Sequence, residues 1–378
     1  MTFAYRRATT GAWLDGDPAG HRQFVVVHDD EPLALEAGER LGPITVAYET
    51  WGTLDASRSN AVLVEHALTG DSHAHGPAGI AHPQEGWWHP LIGAGEAIDT
   101  DSWFVVCPNV LGGCQGTTGP SSLAPDGLPY GSRFPWITPR DQVALETALA
   151  DALGIERWAA VVGGSMGGMR VLEWATGAPE RVGKAVIVAV GAYATAEQIG
   201  VSSTQNRAIV VDPNFRGGDY YDGERGPDDG LRIAREFGQI SYRSELEFHR
   251  RFHRKPQDGE DPLRGGRYAI ESYLQHHGDK LLGRFDANSY LVLSTAMNHH
   301  DVGRDRGGVA EALRAVTAET FVAGISTDRL YPLRLQRELA EMLPGRPGVE
   351  VIASVDGHDG FLTETEAVGK FVRSALMG

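Results

Sequence analysis

The residues Gly163-Gly164-Ser165-Met166-Gly167 form a G-x-S-x-G pattern, the first place in this chain where types and spacing point to chemistry. Such a pattern suits a sharp strand-to-helix turn that holds a serine in a strained conformation with its hydroxyl exposed. The flanking glycines are needed because side chains there would strike neighbouring backbone. As a short motif it is weak alone, so its surroundings matter. An apolar run, Ala159-Ala160-Val161-Val162, precedes it as a buried strand, and a helical pattern follows over 166–176. The bland alternative is a glycine-rich turn that happens to carry a serine.

A serine hydroxyl becomes a nucleophile when a base takes its proton, and a histidine oriented by a carboxylate is the usual device. Two later loops supply these groups in chain order. Asp328 follows the strand pattern 320–325, and His358 follows the strand pattern 349–355. Both stand just past the carboxyl ends of strands, where open α/β sheets gather ligand groups. Asp301 is a weaker rival to Asp328, because it falls in a helical stretch. Two backbone N–H groups must also converge on the developing oxyanion. Met166 is expected to give one, and Leu68 or Thr69, in the loop after the strand pattern 61–68, the other; the sequence does not choose between these two. Further histidines crowd 71–89 (His73, His75, His82, His89) and 298–301. No metal-binding spacing appears there, so they are read as solvated loop residues and no metal site is expected.

The elements that must position these residues follow a simple pattern. Strand-like runs at 44–50, 61–68, 103–110, 158–163, 184–190, 320–325 and 349–355 alternate with helices, the mark of a mostly parallel sheet covered on both faces. Thr138 and Pro139 open the clearest helix, which ends near Leu153. Alternation fails between the runs at 184–190 and 320–325, where helical patterns and polar Gly/Pro-rich connections stand instead. Residues 193–305 are therefore expected to be a helical insertion over the sheet, with the core built from 1–192 and 306–378. A separate helical domain behind a linker is the alternative.

Composition bounds the function. Of 378 residues, 34 are basic and 50 acidic, giving a net charge of −16, which opposes nucleic-acid binding as the main role. Two cysteines, Cys107 and Cys114, exclude a disulfide framework. The N-terminal MTFAYRRATT leads into no apolar signal region, and no apolar run is long enough to span a bilayer, so no membrane partner and a soluble cytoplasmic protein are expected. Glycine is the outlier at 48 residues, concentrated at loop ends as in a chain whose backbone closely approaches a ligand.

Taken together, the segments 66–72 (HALTGDS), 109–120 (NVLGGCQGTTGP), 163–168 (GGSMGG), 301–306 (DVGRDR) and 357–362 (GHDGFL) resemble the homoserine O-acetyltransferase family of α/β-hydrolase-fold acyltransferases. The resemblance runs from about residue 44 to the C-terminus, with Met169 standing where that family more often has alanine. It implies an α/β-hydrolase fold with a helical lid, a homodimer, and acetyl-CoA-dependent acetylation of L-homoserine in methionine biosynthesis. Acetyl-CoA would be a co-substrate, and no permanently bound cofactor is implied. Ser165, Asp328 and His358 match the family's nucleophile, acid and base. Arg235, in Leu231-Arg232-Ile233-Ala234-Arg235, matches the substrate-holding arginine, and Asp359 the acidic residue after the catalytic histidine. An amino-acid substrate presents a carboxylate for the first and an ammonium for the second. Tyr242 and Asn60 are further pocket candidates, and the basic stretch 250–255 is a candidate for the CoA phosphates. A succinyl donor, a serine acceptor, or an esterase that passes the acyl group to water are alternatives with the same machinery.

Overall fold

The computed structural model describes residues 9–378; residues 1–8, most of the N-terminal stretch considered above, lie outside the described residues. Eight strands form the central sheet: β1 (Gln23–Val27), β2 (Ile44–Trp51), β3 (Ala61–Glu65), β4 (Phe104–Pro108), β5 (Trp158–Gly164), β6 (Val182–Val188), β7 (Glu319–Ile325) and β8 (Val349–Ile352). Their spatial order is β1-β2-β4-β3-β5-β6-β7-β8. From β4 to β8 neighbours run parallel, while β2 is antiparallel to both β1 and β4. This is the mostly parallel α/β sheet expected from the sequence. The edge strand β1 was not expected, although Phe24-Val25-Val26-Val27 is an apolar run; it pairs only with β2 and none of its residues is buried.

Alternate residues of the central strands feed two cores, one on each face. Val161 and Ile187 pack with Leu145, Leu149, Trp174 and Leu335. Ala160, Val162 and Val186 pack with Trp88, Val368 and Val372 on the other side. Helix α1 (Pro139–Ala152) begins as expected: the Thr138 side chain accepts from the Asp141 N–H, and the Asp141 carboxylate accepts from the Thr138 N–H, a reciprocal cap. Helix α2 (Met166–Gly177) packs on α1 and on β5.

Between residues 193 and 305 the chain adds no strand to this sheet. It forms α3 (Ala196–Val210), α4 (Asp228–Tyr242), α5 (Glu245–Arg251), α6 (Ala269–Leu282) and α7 (Ala287–Asn298). The ends of the segment meet, since Tyr193 and Asp301 pair as an isolated antiparallel bridge. A third apolar cluster joins these helices to the loops at the carboxyl ends of the strands. Ile209, Leu231, Ala234, Leu281, Tyr290 and Leu293 meet Leu68, Val110 and Met166 there. The short α8 (Val309–Arg314) precedes β7, and after β7 come α9 (Leu333–Met342), which packs on α8, the short α10 (Gly360–Thr363) and the C-terminal α11 (Thr365–Met377). Strands β3 and β8 end three residues earlier than their apolar runs, at Glu65 and Ile352, because the chain turns out of the ladder to build the site.

Candidate active site

Ser165 sits on the turn between β5 and α2 at φ 57°, ψ −124°, a conformation that L-residues rarely hold. Close packing enforces it. A Cβ on Gly167 would lie 2.1 Å from the Glu65 carbonyl oxygen, and one on Gly163 would lie 2.7 Å from the backbone of Gly167. The glycines thus let α2 start directly against the end of β3, and the serine side chain is thrown outward.

The three residues expected to act together do meet. The Oγ of Ser165 lies 2.8 Å from Nε2 of His358, and Nδ1 of His358 lies 2.6 Å from Oδ2 of Asp328. All three are buried. Asp328 is itself held, its Oδ1 accepting from the N–H groups of Leu330 (2.9 Å) and Tyr331 (2.8 Å). The loops after β7 and β8 are tied by Thr327, whose hydroxyl donates to the Ser354 carbonyl (2.9 Å) and accepts from the Gly357 N–H (3.1 Å). The Tyr331 ring stacks on the imidazole with centroids 4.9 Å apart, and Phe361 packs at 5.4 Å. Burial opposes charging the His358 ring, but the Asp328 carboxylate and then Asp359 outweigh it and leave its pKa raised. Asp301, the rival acid, instead accepts from the Gly303 N–H and takes part in the bridge to Tyr193.

Met166 follows the nucleophile, and its side chain shares an apolar cluster with Leu68. Thr69 lines a cavity of about 240 Å³ together with Ala67, Gly70, Arg235, Arg284 and Leu362. Arg235 thus reaches that cavity from α4, its guanidinium 5.5 Å from the Tyr242 ring centroid. Tyr242 in turn packs 6.3 Å from His358. Arg22, Asp71 and Arg284 line the same cavity; no role was expected of them, although Asp71 stands within the segment 66–72.

The remaining candidates have partners of their own. Asp359 does not present a free carboxylate: its Oδ2 lies 3.0 Å from Nε of Arg243, which also pairs with Asp356 at 3.4 Å. Asn60 lies just before β3, at the opposite end of the sheet, and donates to the carbonyls of Thr53 and Ser102. In the basic stretch, Arg251 stacks on Phe252 and Tyr273 and pairs with Glu247, while Arg250, Arg254 and Lys255 are exposed.

His73 and His82 are not solvated. Both are buried, with rings stacked 3.8 Å apart, and both face Glu49: His73 Nδ1 at 3.0 Å from Oε2, His82 Nε2 at 3.3 Å from Oε1. Burial works against charge on His73, but the Glu49 hydrogen bond and charge overcome it and raise its pKa. On His82 burial, reinforced by Arg22, prevails and lowers the value to about 4. The ligand atoms of Glu49, His73 and His82 all lie within 4.8 Å of one another, a set able to hold a metal ion. The rings are only 9° from parallel, so their lone pairs do not converge, and the neighbouring Arg22 cation disfavours a second positive charge. The cluster is better described as a buried carboxylate hydrogen-bonded to one histidine, with a second, neutral histidine stacked on the first.

With this geometry in place, the likeness to known proteins becomes informative. Residues 60–365 match the family model of the alpha/beta hydrolase fold. The homoserine O-acetyltransferase of Thermobifida fusca is 59% identical over 368 residues, covering 97% of each chain. Those of Mycobacterium tuberculosis and Mycobacterium leprae are 57% and 56% identical over 344 residues, 91% of this chain. Among solved structures, a homoserine O-acetyltransferase from Bacillus anthracis matches with a TM-score of 0.86 at 28% identity, covering 94% of this chain and 97% of that one. Esterase E22 matches with a TM-score of 0.85 at 27% identity, covering 94% and 99%. The fold therefore belongs to a scaffold shared by transferases and esterases, and the sequence relatives narrow it: the chain belongs to the homoserine O-acetyltransferase family.

Proposed function

We propose that this protein acetylates the hydroxyl of L-homoserine with acetyl-CoA, by double displacement through an acyl-Ser165 intermediate. The observation that carries the reading is the hydrogen-bonded chain Asp328–His358–Ser165 in a protein 59% identical to a homoserine O-acetyltransferase. His358 takes the Ser165 proton as Oγ attacks the thioester carbonyl. The N–H of Met166 and that of Leu68 or Thr69 receive the oxyanion, and the C–S bond breaks as His358 protonates the leaving thiolate of CoA. Homoserine then gives its hydroxyl proton to His358 and attacks the acyl carbon, and the returning proton restores Ser165. Asp328 keeps the ring in the tautomer that accepts at Nε2 and stabilises the transient imidazolium.

Arg235 holds the substrate carboxylate, a planar fork meeting a planar anion. Asp359 receives the ammonium, which would then compete with Arg243 for the carboxylate. The helices of 193–305 act as a lid that keeps water from the acyl-enzyme, since hydrolysis is its competing fate. A cytoplasmic homodimer completes the reading, which size-exclusion chromatography with light scattering tests for the dimer.

Thiol release from acetyl-CoA, followed with and without homoserine, separates the alternatives. Release that depends on homoserine, with O-acetylhomoserine as product, supports the transferase. Acceptor-independent release gives an esterase, and faster turnover of succinyl-CoA or of serine moves the reading within the family.

A further inference from the structure

His66, the first residue after β3, makes two bonds that fix its chemistry. Its Nε2 accepts from the Val110 N–H at 3.0 Å, so that nitrogen carries a lone pair. The neutral ring therefore holds its proton on Nδ1, which lies 2.8 Å from the Ala67 carbonyl oxygen and donates to it. Burial, then the Arg170 charge, lowers the pKa of this histidine to about 3, which keeps the tautomer in place at ordinary pH. The same Ala67 oxygen accepts from the Gly70 N–H at 2.8 Å. Two donors thus lock one peptide plane. In a trans peptide the N–H points opposite to the carbonyl, so the direction of the Leu68 N–H is set along with it.

The backbone of His66 is held as well. Its carbonyl oxygen accepts from Nη2 of Arg170 at 2.6 Å. Arg170 stands on α2 at zero exposure, with Nη1 2.7 Å from both Glu65 and Glu146. The helix that begins at the nucleophile is therefore bolted to the loop expected to supply the second oxyanion donor. Ala67 and Thr69 of that loop line the cavity reached by Arg235.

We infer that His66 is a positioning residue: by donating Nδ1–H to the Ala67 carbonyl it aims the Leu68 N–H, rather than that of Thr69, at the oxyanion formed on Ser165. This rests on the acyl-Ser165 reading above and adds to it a residue that touches no substrate.

Two substitutions separate its two bonds. His66→Gln places a polar atom near the former Nε2 and keeps the Val110 contact, but loses the donor to Ala67. His66→Asn keeps a donor near the former Nδ1 and loses the Val110 contact. Hydrolysis of p-nitrophenyl acetate and labelling of Ser165 by a serine-reactive phosphonate are measured for both, with circular dichroism and Tm. His66→Gln is expected to lower kcat and the labelling rate about 10- to 100-fold, below the loss seen when an oxyanion donor is removed outright, with KM unchanged. His66→Asn is expected to recover most of that rate while showing the lower Tm. A folded His66→Gln with wild-type kcat, or a folded His66→Asn as slow as His66→Gln, would overturn the inference. If His66→Gln does not fold, the rate of His66→Asn decides: near wild type it supports the role, and a loss of 10-fold or more contradicts it. Wild-type protein that takes no phosphonate at Ser165 would instead defeat the acyl-enzyme reading, leaving the two failures distinct.

Discussion

Two buried histidines in this molecule each put Nδ1 against a carboxylate, yet they do different work. His358 meets Asp328 at 2.6 Å, and His73 meets Glu49 at 3.0 Å. What differs is the third group. Beyond His358 lies the hydroxyl of a serine in a strained turn, whereas Nε2 of His73 is buried without a hydrogen-bond partner and His82 stacks on its ring. A histidine–carboxylate pair is thus no evidence of catalysis by itself. The reactive one is recognised by what its far nitrogen faces.

The sharpest contrast comes from removing the third group. Ser165→Ala should lower acyl transfer by about 10⁵-fold or more with the fold intact, judged by product mass spectrometry and circular dichroism. Next come the two carboxylates. Asp328→Asn is expected to cost about 10⁴ in kcat, because the amide favours the wrong tautomer. Glu49→Gln should leave kcat in place and lower stability by about 1–3 kcal/mol, read from urea denaturation, since it weakens a buried charge-assisted bond. Equal kinetic damage from both would erase the distinction.

Smaller effects sharpen it. Arg235→Lys is expected to raise KM for homoserine about 10- to 100-fold with kcat less affected, as a bidentate contact becomes a point charge. The smallest effect concerns pH. His358 must be neutral to accept a proton, and its pKa lies above the ordinary 6.5, chiefly through Asp328 against the opposing effect of burial. The kcat/KM profile should therefore fall as pH drops through a midpoint above 6.5. Asp359→Asn should move that midpoint down, because it removes a charge that favours the imidazolium.

The catalytic elements were legible because each is announced locally. The elbow at 163–167 has a strand before it and a helix after it, and Asp328 and His358 each follow a strand in the right order. The sheet was legible for the same reason, apart from β1, an edge strand whose apolar run lies outside the strand–helix alternation of the core. Burial that depends on distant partners was not legible. His73 and His82 sit in a glycine-rich, polar loop that reads as solvated, and only the approach of Glu49 from β2 reveals them as interior. Arg243, which occupies Asp359, is likewise 116 positions away in sequence and close only in the fold.

The central claim is covalent, and one measurement reaches it directly. The protein is exposed to acetyl-CoA without acceptor, quenched in acid, and its intact mass and peptides are read before and after homoserine is added. A double displacement predicts one acetyl group on the peptide containing Ser165, discharged on adding homoserine with release of O-acetylhomoserine. Product formed at full rate with Ser165→Ala, or an acetyl group that homoserine does not remove, would contradict it.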